Sequence, residues 1–243
     1  MADLAWSQDS AIPAETTPAR HGAMVRVTHW ITALCFFALL VSGVELVISH
    51  PRFYWGEAGN VSTPALFHLP IPASRATVPT GYGYVLPDQN GWSRYLHFQA
   101  AWAAVLTGLL YAIWGLFTGH FRKNLFPAGL SWSEIANHLR FRRPGEAEAW
   151  SYNVVQRITY LFVIFVLGPL VVWTGLAMSP AVASAFPPVV TVFGGQQSAR
   201  TIHFFITIFL VAFLLVHIVM ICLAGFTNRM RAMITGRLNK ERA

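Results

Sequence analysis

Four of the nine histidines in this sequence lie within long apolar segments, and their type and spacing point to metal chemistry. These residues are His29, His97, His203 and His217. An ionisable side chain at membrane depth is costly and marks a functional site by default, and imidazole is the usual protein ligand of haem iron. Taken singly, each residue is equally compatible with a hydrogen-bonded core histidine or an interfacial one. Taken together, they predict axial ligands to haem.

The spacing of the last two histidines makes this pattern more specific. His203 and His217 are 14 residues apart. In an α-helix, 14 steps of about 100° leave an angular offset of about 40° and rise about 21 Å along the axis. Both rings therefore lie on one side of a single helix, which could ligate two metal groups, one near each face of a membrane.

The elements that must position these histidines are transmembrane helices. A helix crosses the hydrocarbon core with about 20 apolar residues, and four segments are long enough: 25–48, 95–117, 154–178 and 201–226. The chain is 55% hydrophobic and only 11% charged, whereas a soluble domain carries roughly 25% charged residues. Pro169 lies inside the third segment, where a kink is expected. We therefore predict an all-α membrane protein, with a single domain over residues 1–243 built as a bundle of four transmembrane helices.

The loop charges predict the orientation of these helices. Thirteen of the 17 Lys and Arg residues flank one side of the four spans, and basic residues concentrate on the cytoplasmic side of a membrane protein. Both termini are therefore expected in the cytoplasm, with the chain in the lipid of a bacterial inner membrane. This topology explains the net charge of +7, and nucleic acid is not expected as a partner.

The orientation also predicts which histidines can meet. The first span enters from the cytoplasm, which places His29 near that face, and the second and fourth spans enter from outside, which places His97 and His203 near the outer face. His217 lies deeper, toward the cytoplasm. The expected pairs are thus His29 with His217 and His97 with His203.

Two separate histidine pairs suit haem better than zinc. Zinc takes about four ligands at one tetrahedral centre, and the sequence has no C-x-x-C-H motif for covalent haem attachment. A haem held by two histidines has no open position for oxygen, so electron transfer is its natural task. A haem-free transporter or channel is a further alternative, but the broken helices or inverted repeats of such proteins are not evident in the sequence.

The external loop 49–93 is rich in proline, glycine and aromatic residues. A connection of this length without clear regular structure is usually functional or disordered, and its tryptophan and tyrosine content argues against disorder. We expect an ordered cap on the outer face that offers a docking surface. Aromatic anchors at the membrane interface are the alternative.

Four segments of the sequence resemble the prokaryotic cytochrome b561 family: "RVTHW", "SRYLHF", "YNVVQRITYL" and "IHFFITIFLVAFLLVHIVM". This family includes the membrane cytochrome b subunits of formate dehydrogenase, Ni/Fe-hydrogenase and thiosulfate reductase. The resemblance extends over all four spans, and the family's haem histidines match His29, His97, His203 and His217 one for one. It implies a four-helix bundle that binds two b-type haems through these residues, with a quinone site near the cytoplasmic haem.

The same resemblance suggests which residues bind the quinone. In the formate dehydrogenase subunit, a Y-N-x-G-Q segment that opens the third span lies at the quinone, and this chain reads Y-N-V-V-Q over residues 152–156. Asn153 and Gln156 offer amide donors to a quinone carbonyl, and His217 belongs to the nearby haem. Val155 replaces the family's glycine, and Asn153 is equally suited to be a helix N-cap.

Together these expectations describe a transmembrane electron carrier. Its expected cofactors are two haem b groups and a quinone, either ubiquinone or menaquinone, and its expected partner is a periplasmic or external oxidoreductase. The segments "PRFYWGEAGN" and "LAMSP" are most similar to the thiosulfate-reductase branch, which favours a molybdopterin-dependent partner. The alternative is a self-standing haem–quinone oxidoreductase that serves a small diffusible redox molecule, and the elaborate outer loop disfavours it.

Overall fold

Four long apolar helices form the body of the protein. The computed structural model describes residues 21–60, 62–71, 91–125 and 154–237. The first two spans are α1 (Ala23–Ser49) and α2 (Gly91–Phe117), and the first packs along the second. The third span, α3, starts at Val154, and the fourth, α6, covers Gln196–Leu223. All four contain a stretch long and apolar enough to cross a membrane, so the predicted four-helix membrane protein is confirmed.

The third span is not a uniform α-helix. It runs as Val154–Phe162, widens into a π-helical turn over Val163–Leu167, and continues as Gly168–Ala177. The Gly168 N–H accordingly bonds back to the Val163 carbonyl, five residues earlier. Pro169 has no N–H and its ring displaces the carbonyl four residues before it. The irregularity expected at this proline thus takes the form of a π-helical turn in the preceding residues.

Two short helices join the third and fourth spans. They are α4 (Pro180–Ala185) and α5 (Pro188–Thr191). Ala177 at the end of α3, Val189 of α5 and Ala199 of α6 pack in one buried cluster. The indole Nε1 of Trp173 also donates to the Val189 carbonyl at 3.2 Å. This compact corner holds α6 against the Gly168–Ala177 part of α3.

A short hairpin lies between α1 and α2. Its strands, β1 (Arg52–Phe53) and β2 (Phe67–His68), are antiparallel with Phe53 opposite Phe67. Phe53 is only 1% exposed, because the centroid of its ring lies 4.7 Å from that of Phe67 and 4.5 Å from that of Phe204 on α6. The sequence predicted no regular structure in loop 49–93, and the hairpin corrects that expectation. Residues 72–90 of that loop lie outside the described part of the chain.

The segment after β1 caps the first turn of α6, which explains why this helix begins at Gln196 and not at position 201. The Gly56 carbonyl accepts hydrogen bonds from the backbone N–H groups of Gln197 and Ser198 at 3.0 and 3.2 Å. The Glu57 carboxylate accepts one from the Gln196 N–H at 3.3 Å, where a negative charge is favoured by the helix dipole. These bonds hold this part of the loop on α6, as expected of an ordered cap.

A last helix, α7 (Phe226–Thr235), follows α6 at the opposite end of the bundle. The Arg26 guanidinium donates to the Ile234 carbonyl at 2.8 Å, and the Trp30 indole donates to the Met233 carbonyl at 3.1 Å. Carbonyl groups in the last turn of a helix lack intrahelical partners, so these two side chains of α1 satisfy them. The helix α7 is therefore fastened to the first turns of α1, close to His29.

Candidate haem-binding site

The four histidines of the spans meet as two pairs, in the combination that the sequence predicts. The ring centroids of His97 on α2 and His203 on α6 are 6.4 Å apart, with an angle of 58° between the ring planes. Those of His29 on α1 and His217 on α6 are 6.3 Å apart, with an angle of 59°. We call these the outer pair and the inner pair. The helix α6 contributes one ring to each.

The ring spacing in both pairs suits one metal ion bound between two imidazoles. A metal–imidazole nitrogen bond is about 2.0–2.1 Å and that nitrogen lies about 1.1 Å from its ring centre, so two rings on opposite sides of a metal have centroids roughly 6.3 Å apart. The observed distances of 6.3 and 6.4 Å agree with this value. Two protein ligands per site suit a metal that takes its remaining ligands from a porphyrin.

Hydroxyl groups from two other helices orient the outer pair. The Ser42 hydroxyl of α1 lies 3.0 Å from Nδ1 of His97, and the Thr174 hydroxyl of α3 lies 2.9 Å from Nδ1 of His203. With Nδ1 engaged in this way, Nε2 is the nitrogen left for a metal. Metal-binding histidines commonly use their second nitrogen in such a bond, which fixes the ring.

A glycine follows each of these hydroxyl residues and lets the imidazole approach the helix. A Cβ atom added at Gly43 would lie 3.6 Å from Cε1 of His97, and one added at Gly175 would lie 3.6 Å from Cε1 of His203. That distance is ordinary van der Waals contact, so alanine fits at both positions while a larger side chain would meet the ring. Each outer histidine therefore lies against a hydroxyl–glycine pair.

Aromatic rings surround the inner pair. The His217 ring stacks on Phe213 with centroids 5.7 Å apart and an interplanar angle of 23°, and Tyr160 of α3 meets it edge-on at 6.2 Å. The His29 ring contacts the neighbouring Trp30 indole at 5.3 Å. These contacts bring the start of α3 and the first turns of α1 to the inner pair.

The expected quinone residues are only partly within the described structure. Asn153 lies outside it, and so does the side chain of Gln156, whose backbone forms part of the first turns of α3. His217 is described, and its neighbour Tyr160 lies one turn after Gln156 on α3. The roles of Asn153 and Gln156 at a quinone therefore stay predictions.

Sequence reasoning missed Ser42 and Thr174. The available signal is a Ser-Gly or Thr-Gly pair inside an apolar span, found at 42–43 and 174–175. This signal is weak, because Thr107–Gly108 in α2 has the same form and its hydroxyl simply donates to the Ala103 carbonyl. Only the three-dimensional arrangement separates the hydroxyls that meet a histidine from the others.

Comparison with known proteins identifies the family of this chain. The prokaryotic cytochrome b561 family matches residues 20–236. A protein of Azospira oryzae, named as a candidate subunit (YedZ1) of a protein-methionine-sulfoxide reductase, is 30% identical over 226 residues, or 90% of this chain and 96% of the relative. A protein of Cupriavidus necator, named as a candidate B-type cytochrome subunit of a Ni/Fe-hydrogenase, is 25% identical over 210 residues, or 81% of this chain and 75% of the relative.

The family match spans all four helices and both histidine pairs. The chain therefore belongs to the prokaryotic cytochrome b561 family and is an integral membrane cytochrome b that takes part in electron transfer.

Proposed function

We propose that this chain is the dihaem membrane subunit of a redox complex and carries single electrons between an external oxidoreductase and a quinone. The observation that carries the proposal is that two histidine pairs, each with the ring spacing of a bis-imidazole metal site, share one membrane-spanning helix, α6, which contributes one histidine to each pair. In this proposal His97 and His203 hold one b haem and His29 and His217 hold the other.

A b haem with two axial histidines supplies one-electron redox chemistry and leaves no open position for oxygen or peroxide. The chain supplies the position and orientation of the two sites. His203 and His217 set their heights, about 21 Å apart along α6. That separation covers most of a hydrocarbon core that is about 30 Å thick. One site is thereby within reach of a partner on the outer face and the other within reach of the inner face.

The outer end of the bundle is the proposed docking face for the partner. The hairpin and the segment after β1 that caps α6 form an ordered surface over the N-terminal end of this helix, next to the outer pair. Trp55, Trp92 and Tyr95 are 60%, 53% and 70% exposed and offer aromatic contact area. Both relatives are named as subunits of redox enzymes, which supports an oxidoreductase as the partner. Within that class, we propose a molybdopterin enzyme on the family resemblance given above.

The inner end is the proposed quinone side. Asn153 and Gln156 would donate amide hydrogen bonds to a quinone carbonyl, and the position of Tyr160 against His217 supports the proximity of the start of α3 to the inner pair. Either ubiquinone or menaquinone would serve. The excess of basic residues on this side of the spans supports an orientation with both termini in the cytoplasm of a bacterial inner membrane.

The test of this function is a quinone reaction followed through the haem absorbance. Purified chain reduced with dithionite should be reoxidised by a water-soluble quinone analogue. Asn153→Ala should slow that reaction at least several-fold, with the haem content and reduced spectrum unchanged, because it removes a headgroup contact and leaves the histidines in place. Reoxidation of wild type no faster than a quinone-free control would overturn the quinone role, and unchanged kinetics in Asn153→Ala would leave that residue a helix cap.

A further inference from the structure

The outer histidine pair is held by the same hydrogen-bonding device on two different helices. Ser42 on α1 and Thr174 on α3 both have 0% exposed side chains. Their hydroxyl oxygens lie 3.0 and 2.9 Å from Nδ1 of His97 and His203. Neither pair of partners is close in sequence, so the fold has brought a hydroxyl to each outer ring independently.

The carbonyl partners of the two hydroxyls indicate which ring nitrogen carries the proton. The Ser42 hydroxyl is 2.7 Å from the Ala38 carbonyl, and the Thr174 hydroxyl is 2.8 Å from the Leu170 carbonyl. A carbonyl can only accept, and each hydroxyl has one proton to donate. Because that proton goes to the carbonyl, the hydroxyl oxygen must accept the Nδ1–H of the histidine.

A second carbonyl beside each hydroxyl supports the same assignment. The Ser42 hydroxyl also lies 3.2 Å from the Leu39 carbonyl, and the Thr174 hydroxyl lies 3.1 Å from the Val171 carbonyl. Because each hydroxyl faces two carbonyls that can only accept, its oxygen is left to accept from the ring, and the proton of each outer ring is assigned to Nδ1. Each Nε2 lone pair is then free to bind a metal.

We infer that Ser42 and Thr174 are positioning residues that hold both outer histidines in the metal-binding tautomer and make them stronger ligands for ferric iron. A histidine that donates its second N–H to an acceptor becomes a more basic ligand. A more basic ligand favours the ferric over the ferrous state, so the two hydroxyls lower the reduction potential of the outer site. The inference rests on the proposed haem ligation by His97 and His203.

The effect is specific to one of the two sites. The contacts that the structure gives to the inner pair are with the aromatic rings of Trp30, Phe213 and Tyr160. Removal of Ser42 or Thr174 therefore changes ligand basicity at the outer pair alone. The two substitutions must act on the same haem, although they lie on different helices.

The test is a potentiometric titration of the purified chain, with the haem content measured in parallel. Ser42→Ala and Thr174→Ala should each shift the midpoint potential of one haem component upward and leave the other unchanged, and both variants should shift the same component. Thr174→Ser keeps the hydroxyl and should restore the wild-type value. Thr107→Ala is the matched control, because Thr107 is a buried threonine whose hydroxyl donates to the Ala103 carbonyl at 2.7 Å, and it should move neither potential.

The outcomes separate this inference from the proposed function beneath it. The inference would be overturned if Ser42→Ala and Thr174→Ala each bound two haems with the same two midpoint potentials as wild type, and the haem assignment would then stay intact. Shifts in different components, or an equal shift in Thr107→Ala, would also overturn it. A wild-type preparation that binds no haem in haem-replete cells would overturn the proposed function, and this inference with it.

Discussion

At the scale of single residues, the two histidines of α6 have different surroundings. Nδ1 of His203 lies 2.9 Å from the Thr174 hydroxyl and the ring lies against Gly175, whereas His217 stacks on Phe213 and meets Tyr160. The histidine pairs themselves could be predicted, because helix periodicity and the direction of each span determine which rings share a depth. The role of the two hydroxyls could not be predicted. A serine or threonine in an apolar span usually donates to a backbone carbonyl in the preceding turn of its own helix, and only tertiary packing decides whether a histidine ring also meets the hydroxyl oxygen.

The glycine beside His203 gives a graded prediction at this scale. A Cβ at Gly175 would make ordinary contact with the His203 ring at 3.6 Å, so Gly175→Ala should keep full haem content. Gly175→Leu places branched carbons where the ring lies and should cost most of one haem equivalent, measured by pyridine haemochrome absorbance per chain. Full haem content in Gly175→Leu would show that the His203 ring does not lie against this position.

At the scale of elements, hydropathy predicts long and uniformly apolar helices, and it misses elements that are short or of mixed polarity. The four spans carry about 20 apolar residues each, which is a strong signal. The hairpin was missed because two-residue strands such as Arg52–Phe53 are too short to show alternation. The helix α7 was missed although Phe226, Met230 and Met233 recur at helical spacing, because a ten-residue segment with several polar residues does not stand out by hydropathy. Its position depends on side-chain hydrogen bonds from Arg26 and Trp30 of α1, which no local pattern shows.

The cap on α6 yields a prediction about stability. Gly195 has a φ of 128°, and a Cβ there would lie 2.4 Å from the backbone carbon of Gly56. Both features exclude a side chain, so Gly195→Ala should destabilise this junction by about 1–3 kcal/mol and lower the thermal midpoint of haem release in detergent. Gly22→Ala is the control, since a Cβ at Gly22 meets nothing within 4 Å. Equal midpoints for the two variants would show that the close approach of Gly56 and Gly195 does not contribute to stability.

At the scale of the whole molecule, α6 is the helix on which both proposed sites depend. Its outer histidine faces one from α2 and its inner histidine faces one from α1. The backbone packing is different, since α1 packs along α2 and α6 packs against α3. The histidine pairs therefore bridge between these two helix pairs. Under the proposed function, a single polypeptide would hold two redox groups at different heights, and its capped end and its basic end would face different partners.

The most direct test of haem ligation by α6 is the haem-to-protein ratio of the purified chain, with haem from the pyridine haemochrome and protein from quantitative amino-acid analysis. We expect two non-covalent b haems per wild-type chain, one in His203→Ala and one in His217→Ala. His68→Ala, which removes the exposed histidine of the hairpin, should retain two. A wild-type ratio of one, or two haems retained in His217→Ala, would contradict the claim that α6 ligates a haem at each end.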